Sequence, residues 1–126
     1  MCMIGDCDRV QVLNTTNPRA RTPHKCGECQ RTIHPGEQYE KTVGVFDGSF
    51  DTYITCEQCR SVRDWLSKVC SGWIYSMVEE DISEHFRAGY GMWLGRAAVG
   101  MRRFWRRRDG SLMQPMVLPA SMPKAY

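Results

Sequence analysis

Two hydrophobic periods divide this chain. Residues 38–46 and 49–55 are short runs rich in β-branched and aromatic side chains, with Tyr39, Val43, Val45, Phe50, Tyr53 and Ile54 as packing positions. Asp47-Gly48 lies between them, which is the strongest short-range signal for a β-hairpin. After Cys56 the period lengthens. Val62, Trp65, Leu66 and Val69 recur at i, i+3, i+4 and i+7, which predicts an amphipathic helix over 56–69. Ser71-Gly72 breaks it. A second helix is predicted over 73–87, with Trp73, Ile74, Met77, Val78, Ile82 and Phe86 as its stripe and Gly89 as its stop. A third is predicted over 92–108. Spacing at 100° puts Trp93, Leu94, Ala97, Ala98, Met101, Phe104 and Trp105 on one face. Arg96, Arg102, Arg103, Arg106 and Arg107 fall on the other. Gly95 and Gly100 each cost about 1 kcal/mol against alanine, so this helix needs tertiary packing.

The ends lack such periodicity. Residues 1–23 read as an N-terminal arm: a weak strand-like run over 10–13, then a polar stretch where Pro18 and Pro23 oppose regular structure. Residues 109–126 read as an irregular tail. A core of Trp65, Leu66, Trp73, Ile74, Met77, Trp93 and Phe104 is expected to join the hairpin module, 24–70, to a helical extension, 71–108.

The cysteines add chemistry to this outline. Cys26 and Cys29 form one C-x2-C pair, Cys56 and Cys59 another, with 26 residues between the pairs. Zinc favours four tetrahedral thiolate or imidazole ligands in closed structural sites. The first pair precedes the hairpin and the second opens a helix, whose positive end favours thiolates. That order predicts a small α+β treble-clef zinc finger with a C-terminal helical extension. Zn2+ would be structural, since four protein ligands leave no open coordination position. A thioredoxin-like redox pair lacks its βαβ context around Cys26. The chain has seven cysteines, and an odd number cannot all pair as disulfides. Cys2 and Cys7 could join Cys70 or a histidine in a second metal site, but read first as free thiols near the terminus. Cys70 reads as a small buried hydrophobe. His24 and His34 are spare ligands, and His85 a packing residue.

Residues 1–10 show neither a basic n-region nor an apolar h-region. The most apolar run, 73–78, is far shorter than the roughly 20 residues a membrane span needs. These features lead to the expectation of a protein of a reducing cytosol with no membrane partner.

Four short stretches carry a family resemblance. Residues 19–29 (RARTPHKCGEC) and 33–39 (IHPGEQY), with 44–48 (GVFDG) and 55–59 (TCEQC), resemble small phage- and prophage-encoded zinc-finger proteins. The resemblance spans roughly residues 19–66 of the chain. It implies a treble-clef module in a bacterial host cytoplasm. It also implies an accessory role such as binding host factors or nucleic acid. HNH-type nucleases use a related hairpin and helix, but they need a histidine base on the first strand and an open cation site. No histidine lies between Tyr39 and Cys59. No Gly-rich phosphate loop or hydrolase motif appears. The expectation is therefore a binding protein without catalysis.

Charge points to where binding occurs. The net charge is +3, yet residues 87–126 hold eight cations against Asp109 alone, a balance of +7. The first 86 residues are left with −4. The basic face of Arg96, Arg102, Arg103, Arg106 and Arg107 is the expected working surface. Arginines clamp phosphates and release counterions from nucleic acid, which is the first expectation for the partner. An acidic host protein attracts the same face; a chain of that kind would be an inhibitor or adaptor. A virion component is a third class.

Overall fold

A computed structural model describes residues 11–46, 48–69 and 75–116. The expectations for Cys2, Cys7, Asp47, Cys70, Trp73 and Ile74, and for residues 117–126, concern positions outside these. The chain forms a small α+β unit with five strands and three helices among the described residues. Strands β4 (Tyr39–Phe46) and β5 (Ser49–Cys56) pair antiparallel in the register Phe46↔Ser49 to Tyr39↔Cys56. Gly48 takes φ +80°, a left-handed conformation that glycine adopts without steric cost, at the two-residue turn.

The arm is more ordered than its polarity suggests. β1 (Gln11–Thr16) runs antiparallel to β4 as an edge strand, with an irregularity between Val12 and Asn14. Edge strands tolerate polar residues because one side faces water. Past Pro18, Ala20 N–H donates to Glu37 O at 2.8 Å and Gly36 N–H to Ala20 O at 2.9 Å. These bonds lace residues 18–20 to the turn before β4.

β2 (His24–Lys25) and β3 (Thr32–Ile33) form a two-stranded knuckle around Cys26 and Cys29. Gly27 N–H donates to Ile54 O at 2.7 Å, which docks the knuckle on β5. Helix α1 (Glu57–Val69) follows directly from β5. Its inner face, Val62, Trp65 and Leu66, is buried as the periodicity predicts.

Helices α2 (Val78–Arg87) and α3 (Met92–Arg102) are both shorter than their patterns. Ser76 sits at φ +71°, and Tyr75–Ser76 form a turn, so the described part of the expected helix starts at Val78. α3 stops at Arg102 in a Schellman motif. Phe104 N–H donates to Met101 O at 3.2 Å and Trp105 N–H to Gly100 O at 2.7 Å. Phe104 and Trp105 both take left-handed φ, +57° and +56°. A bend therefore replaces the last two turns of the expected helix. The bend swings Trp105 back across α3, where a Cβ on Gly100 would lie 2.5 Å from the indole ring. Glycine at 100, which weakens the helix, is what admits the indole.

The core differs accordingly. Trp65 and Leu66 are buried, and Trp93 packs against the core. Met77 and Phe104 are exposed, because Met77 precedes the first turn of α2 and Phe104 sits on the outside of the bend. Val78, Ile82, Leu94, Ala97, Met101 and Trp105 take their place. His85 is fully buried, with its ring edge-on to Trp65 at 5.3 Å. Among the described residues no helix is long and apolar enough to cross a membrane.

Candidate metal centre

The knuckle, the end of β5 and the first turn of α1 bring Cys26, Cys29, Cys56 and Cys59 together. Their sulfurs all lie within 4.8 Å of one another, and all four side chains are buried. A tetrahedral zinc with Zn–S bonds of about 2.3 Å requires sulfurs about 3.8 Å apart. Cys29 Sγ and Cys56 Sγ are 3.8 Å apart. The donor set and its dimensions fit a metal such as zinc.

The surroundings suit thiolates. Glu28 N–H and Cys56 N–H both donate to Cys26 Sγ at 3.4 Å. Cys59 N–H donates to Cys56 Sγ at 3.5 Å, from the positive end of α1. Four crowded thiols cannot all ionise unaided. Hydrogen bonds from Cys29, Cys56 and Cys59 pull the Cys26 thiol down. Bonds toward Cys26, Cys29 and Cys56, with burial, push Cys59 up. A divalent cation removes this conflict by favouring the ionised form of all four.

Arg31 supplies a compensating charge. It is 2% exposed and binds Glu37 through both terminal nitrogens, at 3.2 and 2.7 Å. Burial disfavours its charge, but Glu37 and the Cys56 sulfur more than offset this and hold Arg31 above its ordinary range. Arg31 also donates to Gln58 Oε1 at 2.8 Å, and Gln58 Nε2 donates to Met113 O at 2.8 Å. The cluster's polar shell thus reaches the segment after α3.

Two further contacts tie the extension to the cysteines. Trp105 is fully buried and its indole N–H donates to Cys59 Sγ at 3.2 Å. Glu28, between the knuckle cysteines, accepts from Ser76 N–H at 2.7 Å and Val78 N–H at 3.3 Å. It thereby caps α2, whose own N-terminal side chains make no cap bond. Sequence patterning placed Trp105 on a helix face and left Glu28 unassigned. No local signal points to Glu28, because its partners lie 48 and 50 residues further along the chain.

The remaining candidates lie elsewhere. His24 Nε2 is 3.4 Å from Tyr39 OH, and His34 Nε2 accepts from Arg106 at 3.3 Å, so neither histidine joins the cluster. The arginines do not form one helical face. Arg96 and Arg102 are on α3, Arg103 caps it, and Arg106 and Arg107 lie beyond the bend. Arg102 pairs with Glu79 and donates to Ser83 Oγ at 3.1 Å. Arg106 is half-buried, and its backbone bridges to Leu112 across a tight turn. Arg96, Arg103, Arg107 and Arg108 are exposed, with no ion pair among the described residues.

In comparisons with known proteins, no family model, curated protein or solved structure matches this chain.

Proposed function

We propose that the chain is a zinc-stabilised binding module without catalysis, which captures an anionic macromolecule on its arginine-rich end. The knuckle, hairpin and α1 around the cysteines are read as a treble clef. Zinc held by four thiolates is a closed structural site, with no position for water or substrate. It supplies cross-linking of the knuckle to α1 and no reaction step. Together with the resemblance to small phage-encoded zinc-finger proteins, this suggests an accessory protein acting on nucleic acid or a host protein in a bacterial cytoplasm.

One observation carries the proposal. The Trp105–Cys59 hydrogen bond fixes the bend that displays Arg103, Arg107 and Arg108 directly to a cluster sulfur. The test compares pull-downs by wild type and by the Arg96→Ala, Arg103→Ala, Arg107→Ala, Arg108→Ala quadruple variant. Bacterial lysate is used with and without nuclease. Capture of nucleic acid or protein that is salt-sensitive and lost in the variant is expected. Equal capture by both chains overturns the proposal.

A further inference from the structure

The shortened helix creates a feature that a continuous basic helix would not have. An open groove of about 730 Å³ lies along α3, between the end of α2 and the bend. Its floor is apolar: Phe86, Met92 and Val99, with Gly95, Ala98 and Gly100 between them. Met92 is 77% exposed and Val99 49%, and with the partly exposed Phe86 they line one groove instead of standing singly. Arginines alone supply the charge on its lining: Arg87, Arg96, Arg102, Arg103, Arg106, Arg107 and Arg108. Glu79 neutralises Arg102, and His34 and Gly110 O engage Arg106. Asp109 lies within electrostatic reach of Arg107, while Arg87, Arg96, Arg103 and Arg108 line the groove with no ion pair among the described residues.

Resting on the binding-module reading above, we propose that this groove seats an acidic amphipathic helix of a partner protein. Its apolar side chains would enter over Met92, Val99 and Phe86, and its carboxylates would meet Arg96, Arg103, Arg107 and Arg108. Charge complementarity selects the occupant: an apolar floor walled by cations matches apolar anchors flanked by Asp and Glu. Methionine on the floor adapts to varied anchors.

Nucleic acid fits less well. Base stacking needs exposed aromatic faces. Phe86 is the one aromatic in the lining, and its ring lies across Gly95, where a Cβ would be 2.8 Å away. Trp105 is buried, Trp93 packs inward, and the exposed Phe104 stands on the outside of the bend, apart from the groove lining. Major-groove reading wants a helix that carries its cations along one face, and here the helix ends at Arg102.

The test is selection of random peptides displayed on phage against the zinc-loaded full chain, beside fluorescence anisotropy with random-sequence single-stranded and duplex DNA. Enriched peptides should carry Asp or Glu interleaved with Leu, Ile, Met or Phe at helical spacing. The Met92→Ser, Val99→Ser double variant keeps every charge and loses the floor. It should weaken the enriched peptides at least about tenfold, the scale of a binding hot spot. DNA binding should be weaker than peptide binding at equal salt. Enrichment of peptides without apolar anchors, or of none, overturns the proposal. So does peptide binding that the double variant leaves unchanged. Tight DNA binding lost in the quadruple arginine variant but retained in the serine variant overturns the helix-docking inference while leaving the binding-module reading intact. Binding of neither class sinks both. A sedimentation shift to a dimer that the serine variant abolishes identifies a second copy as the occupant and also overturns it.

Discussion

The two halves of this molecule are held together by different physics. From Pro18 to Val69 the buried set is poor in large aliphatic side chains. It relies on four sulfurs, the Arg31–Glu37 pair and a buried Arg63–Glu40 pair, in which Arg63 Nη2 is 2.6 Å from Glu40 Oε2. From Tyr75 to Met116, Val78, Ile82, Leu94, Ala97 and Met101 make an ordinary apolar core against Trp65. A small core needs a staple, and the cysteine cluster supplies it. Glu28 and Trp105 cross between the halves, each linking the extension to the cysteine knuckle or its cluster. The extension therefore packs α2 on α3 but completes its core on Trp65 and takes its orientation from the metal half.

Metal removal separates the halves most strongly. Zinc binding supplies about 10–16 kcal/mol of apparent folding energy in small finger domains. Chelation, or Cys56→Ser, should abolish cooperative unfolding of the hairpin half, read by amide hydrogen exchange across β4, β5 and α1. Full protection in metal-free protein would break the comparison.

Trp105→Ala comes next. A buried tryptophan truncated to alanine costs about 3–5 kcal/mol. Protection in α2 and α3 should collapse while zinc stoichiometry stays at the wild-type value. Trp105→Phe keeps most of the ring and loses the N–H donor, so it should cost only about 1 kcal/mol. Equal loss in both halves for the alanine variant would mean that the halves are not separable.

Glu28→Ala removes the cap of α2 at a cost of about 1 kcal/mol, the usual scale for a lost helix cap. Chemical denaturation should show it, with exchange quickening first at Ser76 and Val78.

The smallest effect is electrostatic. Burial pushes the Glu37 carboxyl up, but Arg31 and the His34 N–H outweigh it and hold Glu37 below its ordinary range. The unfolded chain then binds more protons as pH falls through the ordinary glutamate range. Stability from this group is present above that range and is lost below it. The gap between wild type and Glu37→Gln in urea titrations should close as pH drops through that window. A gap that widens instead would contradict the assignment.

Much of this was legible from local pattern. Period-2 runs about Asp47-Gly48 and the i, i+3, i+4 spacing after Cys56 foretold β4, β5 and α1, and the paired C-x2-C spacing foretold the cluster. Those features are set by neighbours in sequence. What was not legible is long-range. The 100° spacing carried the last helix through Trp105 because periodicity is blind to a non-glycine left-handed residue. Phe104 adopts that conformation only because Trp105 gains a slot over Gly100 and a sulfur acceptor at Cys59. Met77 was assigned to a stripe for the same reason: Ser76 is held left-handed while its N–H is taken by Glu28, 48 residues earlier. β1 was legible only in part, as the weak strand-like run over 10–13, because an edge strand needs no apolar alternation.

X-ray absorption at the zinc edge of purified full-length protein tests the central claim most directly. One zinc per chain with four sulfur neighbours at about 2.3 Å is the predicted result. Folded protein without zinc, or a metal whose shell contains nitrogen or oxygen in place of any of the four sulfurs, would contradict it.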